Sequence, residues 1–323
     1  MNLGVGERHQ PRSRIVRIVV LAALFSACGD PAEDVAPAIS SDSTLVAAVA
    51  RPAAERFERS FVFLSNRQDS LLSAGWTSDA ASRPDGVDRT GRGVVTLAGT
   101  GQIFYQHSAT TSPSDVAWRV LPDTAMRILV GESDGIEQLV FESATPPVTF
   151  RPQDIRNEWT TGIGAVMRLF DAEIDVGGRS FSGRLLDVAH GWREGRDEAP
   201  GDWLLLSSGD SLALVMHALG PGSESYQVWG RQGLQTIGWP EATVTWGAVQ
   251  AYDRARRDVP VSWTISAPEG DLSGLLELRS ADLQAGTGDG PLLPVDGFLE
   301  VGGRLVLRGA EYTVRGLIRH TQR

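Results

Sequence analysis

Apolar and polar residues alternate over short stretches through most of this chain, and clusters rich in Gly and Asp separate one stretch from the next. A period of two marks a strand with one buried face. It predicts strands at 61–64, 94–103, 126–130, 137–141, 148–150, 165–174 and 184–189. The series continues at 203–207, 211–217, 226–229, 243–249, 261–265, 272–278, 298–301, 305–307 and 312–318. Turn formers stand between them, among them Gly177-Gly178, Ser208-Gly209-Asp210, Glu269-Gly270-Asp271 and Gly302-Gly303. One Ala-rich stretch, 45–59, carries a helical pattern instead. No βαβ pattern and no fixed-period repeat occurs, so the chain reads as all-β. Many short strands point to sandwiches or closed barrels, because closure removes exposed strand edges.

The N-terminal end departs from this pattern. Arg8, Arg12, Arg14 and Arg17 precede an apolar run from Ile18 to Leu24, and the small residues Ser26 and Ala27 precede Cys28, the single cysteine. This resembles a bacterial lipoprotein signal peptide, with Phe25 where that signal usually has Leu. Such a leader is too short to span a bilayer permanently. Cys28 is therefore expected to become the lipidated first residue of the mature protein. The following stretch, 29–44, is small, acidic and Pro-containing, the composition of a flexible tether. Gly29-Asp30 after the cysteine points to the outer membrane, facing the periplasm. The expected organisation is a signal peptide at 1–27, a tether and lead-in at 28–57, a first β-barrel domain at 58–174 and a second at 175–323.

Charge and composition narrow the chemistry. The formal net charge of the 323 residues is −10; the leader carries +3 (four Arg, one Glu), so the mature chain carries −13. That surface repels nucleic acid and anionic headgroups, leaving the acyl chains as the contact with the membrane. A single cysteine allows no intramolecular disulfide, so packing must supply the stability. All 30 basic residues are Arg and none is Lys, which excludes a P-loop lysine, Schiff-base chemistry and Ser-Lys hydrolysis. There is no G-x-S-x-G, H-E-x-x-H or C-x-x-C motif. Neither a metal nor a cofactor is implied.

Three segments of the second half carry a resemblance. Gly201-Asp202-Trp203-Leu204-Leu205-Leu206 followed by Gly209-Asp210-Ser211-Leu212 forms a Gly/Trp hairpin pattern. Trp246 is followed by Val259-Pro260-Val261-Ser262-Trp263-Thr264-Ile265 with Pro268. The ending holds Asp296-Gly297-Phe298-Leu299-Glu300 and Gly309-Ala310-Glu311-Tyr312. In order and spacing these segments, between about Phe181 and His320, resemble the carotenoid hydratase (hydroxyneurosporene synthase)/AttH-like family. The resemblance implies two tandem lipocalin-like β-barrels with a cavity for a hydrophobic small molecule. One branch of that family hydrates carotenoid double bonds, and related fungal proteins guide cycloadditions. The site of the hydratase branch includes an H-x-W motif, matched here by His190-Gly191-Trp192, with Gly where Glu is usual. The Tyr and Asp expected a strand later fall near His217 and Leu219, so the proton-donor set is incomplete.

On this reading His190, Trp192 and His217 are the candidate ligand-binding residues, and His190 is the candidate catalytic acid. Asp187 is the nearest carboxyl, but strand alternation sends Asp187 and His190 to opposite faces and puts His190 and Trp192 on one. Trp263 and Tyr312 are expected to be buried. The favoured function is a lipid-anchored envelope protein that binds a hydrophobic small molecule. The alternatives are a hydratase or isomerase acting on an unsaturated hydrophobic substrate, and a structural envelope lipoprotein without a ligand. A cavity lined by His190, Trp192 and His217 would mark the binder or enzyme; barrels closed by side chains would mark the structural protein.

Overall fold

Alternation does produce strands almost everywhere. The computed structural model describes residues 56–67, 71–99, 101–113, 126–130, 136–141, 146–193, 195–197 and 199–323. Cys28 and the segments expected to be a leader and a tether lie outside these residues. Among the described residues there is no α-helix; a single 3-10 turn, Pro268–Gly270, interrupts the strands.

Nine strands form one antiparallel sheet: β1 (Arg56–Ser65), β2 (Leu71–Arg83), β3 (Gly86–Leu97), β4 (Gly101–Thr111), β5 (Met126–Val130), β6 (Ile136–Phe141), β7 (Val148–Thr160), β8 (Val166–Val176) and β9 (Arg179–Trp192). Their order is β4-β3-β2-β1-β9-β8-β7-β6-β5. The sheet curls into a half-barrel. Eight further strands close a barrel in the order β10-β11-β12-β13-β16-β17-β18-β19. These are β10 (Trp203–Ser208), β11 (Leu212–Ala218), β12 (Ser225–Gln232), β13 (Gln235–Trp246), β16 (Ser262–Ser266), β17 (Leu272–Ala285), β18 (Val295–Leu307) and β19 (Ala310–Gln322). A small hairpin, β14 (Val249–Tyr252) with β15 (Arg257–Pro260), is inserted between β13 and β16. The fold is therefore all-β with two lipocalin-like units, the second closed and the first a curled sheet.

Three details differ from the pattern reading. Residues 56–59, assigned to a helical lead-in, are the start of β1, because pairing to β2 and β9 satisfies both of its edges. The segment 179–192, placed with the second domain, hydrogen-bonds into the first sheet through β1 and β8. Gly302-Gly303, taken for a turn, lies in the middle of a continuous β18. There a Cβ on Gly303 would stand 2.0 Å from the Leu275 carbonyl oxygen, so only glycine lets β17 and β18 approach.

Among the described residues side-chain alternation builds three large cores, with two small clusters around Ala80 and Val87 and around Ala255, Val259 and Val295. The barrel lumen is filled by Leu204, Leu214, Met216, Val228, Trp263 and their neighbours. The concave face of the half-barrel is filled by aromatics, with Trp76 against Phe141 at 4.5 Å between ring centroids. Between them runs a seam, in which Val62, Leu186 and Val188 of the sheet pack on Trp203, Val215 and Leu317 of the barrel's outer wall. Each such buried side chain contributes about 1.5–3 kcal/mol. Trp263 is fully buried, whereas Tyr312 is partly buried and accepts a hydrogen bond from Gln232 Nε2 at 2.8 Å.

Candidate functional site

Strand parity decides where the sequence-predicted residues go. His190 and Trp192 point from β9 into the seam, their rings stacked at 5.3 Å and 21°. Nε2–H of His190 donates to the Ile163 carbonyl at 3.2 Å, which leaves Nδ1 as a buried acceptor without a partner. His217 on β11 stands opposite Trp203 of β10, on the barrel's outer wall rather than in its lumen. Both His217 nitrogens and Trp203 Nε1 are buried without hydrogen-bond partners. Burial pushes the His217 imidazole down to about 4, reinforced by His190 and opposed by Asp202. Burial lowers His190 too, against the Ile163 carbonyl, Glu58 and Asp197. Both histidines are neutral at pH 7. Asp187 faces the other way, into the half-barrel, where Arg59 donates to both of its oxygens at 2.9 and 2.7 Å.

One open space lies next to this seam, at one end of the barrel. Asp202 precedes β10, Ala218 ends β11, Tyr226 starts β12, Val244 and Trp246 end β13, and Thr321 and Gln322 end β19. Because antiparallel strands bring these ends together, they surround a cleft of about 430 Å³. Inside it Asp202 is held tightly. Its Oδ1 accepts the Thr321 backbone N–H at 2.8 Å, and its Oδ2 accepts Nδ1–H of His320 at 2.6 Å. His320 is fully buried, its Nε2 has no partner, and Trp246 meets its ring edge-on at 5.7 Å. Burial, then the Asp202 charge, raises the Tyr226 phenol, which stays a hydrogen-bond donor. Arg257 closes one side by donating to the Leu293 carbonyl at 2.6 Å and to the Arg323 carbonyl at 2.9 Å.

None of His190, Trp192 and His217 is among the residues lining this cleft. They adjoin it: Arg323, a lining residue, lies over the Trp192 ring at 5.9 Å. Asp202, Tyr226 and His320 escaped the sequence reading because Asp202 and His320 are 118 residues apart and meet only through β10–β19 pairing. The cleft offers Ala218, Tyr226, Val244 and Trp246 as an apolar and aromatic wall, with Asp202, Glu224, Arg257 and Arg323 as charged groups around it, and His320 lies buried behind Asp202. Such a wall suits an organic molecule with an apolar body and polar substituents. No cluster of three or more His, Cys, Asp or Glu side chains able to hold a metal occurs among the described residues.

The chain matches no protein-family model and no curated protein sequence. Solved structures share its fold. A putative AttH from Nitrosomonas europaea superposes with a TM-score of 0.53 at 12% identity, covering 82% of this chain and 92% of that one. Kievitone hydratase from Nectria haematococca gives 0.50 at 13% identity, over 83% and 89%. CghA in complex with Sch210972 gives 0.50 at 13% identity, over 82% and 88%. The chain therefore has the lipocalin-like fold of the AttH-like proteins and of these hydratase-type neighbours.

Proposed function

We propose that this is a lipid-anchored protein of the cell envelope that binds a hydrophobic small molecule, with the barrel-mouth cleft as its site. One observation carries the reading. The barrel lumen is filled by side chains, and at the barrel's end a mouth stays open whose apolar wall is Tyr226, Val244 and Trp246, with Trp246 40% exposed. An aromatic ring of this size held half in water contributes most when an apolar partner covers it. The complex of CghA with Sch210972 supports the idea that this architecture can hold a small organic molecule.

Retention of the uncharged fluorophore N-phenyl-1-naphthylamine tests it. Trp246→Ala and Tyr226→Leu should each weaken retention about tenfold, with Trp246→Ala leaving the melting temperature nearly unchanged. Retention equal to the wild type in both variants would move the site elsewhere. No retention by the wild type would favour a structural envelope lipoprotein, the reading to which the filled lumen otherwise points. His190→Ala and Trp192→Ala should mainly lower stability, since both side chains are buried in the seam.

The Asp202–His320 pair favours a second, catalytic reading, a hydratase or isomerase acting on an unsaturated ligand, for which kievitone hydratase is the structural parallel. His320→Gln with turnover of an unsaturated substrate as readout separates catalysis from carriage. The anchor rests on Cys28. Cys28→Ser should abolish incorporation of a fatty-acid analogue, and label persisting on that variant would remove the membrane from the proposal.

A further inference from the structure

A second groove follows the seam on the side away from His190. Thr77 and Asp79 of β2, Thr90 and Arg92 of β3, and Gln106 and Ser108 of β4 share one sheet face by register, and they face Gln284 and Asp296 of β17 and β18 across a cleft of about 260 Å³. Arg92, Gln106 and Gln284 also line a neighbouring cleft of about 230 Å³, in which Phe104 and Leu283 form the apolar part beside Arg254 and Asp282. The two spaces adjoin, and the second supplies the apolar end. Phe104 is 59% exposed at the apolar end.

The polar end contains unspent donors. Glu58 stands directly opposite Asp79 in the β1–β2 register, and two carboxylates in that position repel. The nearby cation Arg319 is taken by others: its Nη2 pairs with Glu58 at 3.3 Å and with Asp296. Asp79 is left with no hydrogen bond or ion pair of its own. The groups facing it are Glu58 on β1, Arg92 on β3, Asp296 on β18 and Arg319 on β19, with Asp282 of β17 beside Arg92. Burial first, then Glu58 and Asp296, raise its carboxyl to about 8, so it carries its proton at neutral pH. Arg92 has a side chain only 9% exposed. Its Nη2 pairs with Asp296 Oδ1 at 2.7 Å and its Nη1 donates to the Asp296 carbonyl at 3.1 Å, which leaves Nε, 4.0 Å from Asp282 Oδ2, as the donor without a hydrogen bond.

We propose that this groove is a second ligand site, in which Asp79 and Arg92 donate to the carbonyl oxygen of an uncharged molecule whose apolar part extends along Phe104 and Leu283. An anion would meet Asp296, and a cation would meet Arg92, so a neutral acceptor fits the charge pattern. A protonated carboxyl donates its O–H to such an oxygen. The site is independent of the barrel mouth.

The test uses 4-phenyl-3-buten-2-one as probe and reads its carbonyl infrared band in the presence of the full chain. At pH 6 the bound probe should show a band shifted to lower wavenumber. As Asp79 loses its proton near pH 8, the affinity should fall, approaching tenfold per pH unit above that point. Asp79→Asn should keep the shifted band and remove the loss above pH 8, since an amide donates at every pH. Asp79→Leu should lose the band at all pH values, and Trp246→Ala should keep it. Absence of a shifted band with the wild-type chain at pH 6, its persistence in Asp79→Leu, or its loss in Trp246→Ala would each overturn the proposal. The wild-type pH series and the Asn variant decide the matter even if the Leu variant does not fold.

Discussion

Asp187 illustrates what a single residue's parity decides. The sequence reading sent it to the face opposite His190, and it lies there, in the half-barrel, bound by Arg59 through Nε and Nη2. Arg168 Nη1 adds a more distant contact at 3.9 Å. Both members of the Arg59–Asp187 pair are essentially without solvent, so the ions are stable there only together. Asp187→Leu, which strips Arg59 of its two-pronged acceptor, is expected to cost about 3–5 kcal/mol in urea unfolding. Arg59→Met in the same chain should restore most of that loss. A single variant as stable as the wild type would show that the pair is solvated. Parity was readable along β9, but the partner was not, because Arg59 is 128 residues away. The same limit hid the Asp202–His320 pair and the Glu58–Asp79 confrontation, each made by register between strands.

At the level of elements, pattern found strands well and their ends poorly. β2 went unassigned because Ser, Ala, Gly and Thr dominate 71–83, a composition with little hydrophobic signal; its strand state comes from pairing on both edges. The stretch 94–103, read as one strand, spans the end of β3, a turn and the start of β4, with Gly99 and Gly101 at φ of 74° and 90°. Glycine misled in the opposite direction in β18, where Gly303 serves interstrand approach rather than a turn. The two uses predict different mutational costs. Gly303→Ala forces β17 from β18 and should destabilise by about 1–3 kcal/mol. Gly209→Asn, at a turn with φ of 54° and open space around it, should cost well under 1 kcal/mol. Thermal melts of both variants check the contrast, and equal costs would mean that β17 and β18 have slack at Gly303.

On the scale of the whole molecule the seam should make stability respond to pH in two opposed ways. Neutral His217 has a folded value near 4 against an ordinary 6.5, so between these the unfolded chain binds a proton that the native chain refuses. Its contribution is complete above pH 6.5 and is lost as pH falls toward 4, a difference of about 3 kcal/mol. Asp79 works with the reverse sign: native protein keeps the proton to about 8 while the unfolded chain releases it near 3.8, so stability is lost as pH rises through that window. The slopes offset each other between pH 4 and 6.5. Single variants should separate them. Relative to the wild type, His217→Leu should gain stability progressively as pH falls from 6.5 to 4, and Asp79→Asn should gain as pH rises from 4 to 8. Urea unfolding at several pH values measures both, and a constant difference at all pH values would contradict the two opposed shifts.

The chain's own order of apolar and polar residues determined that it is all-β, because a period of two is a local property that survives without any partner. It also determined which neighbours along a strand share a face, as for His190 with Trp192, and which chemistries its lack of lysine excludes. Tertiary structure alone decided that one sheet closes while the other stays curled, that β9 belongs to the first sheet, and that His217 faces the seam instead of the lumen. Those outcomes depend on which edges pair and in what register. A one-residue slip in register would have sent every side chain to the opposite face, and the free energy that fixes register is spread over contacts between residues more than a hundred positions apart.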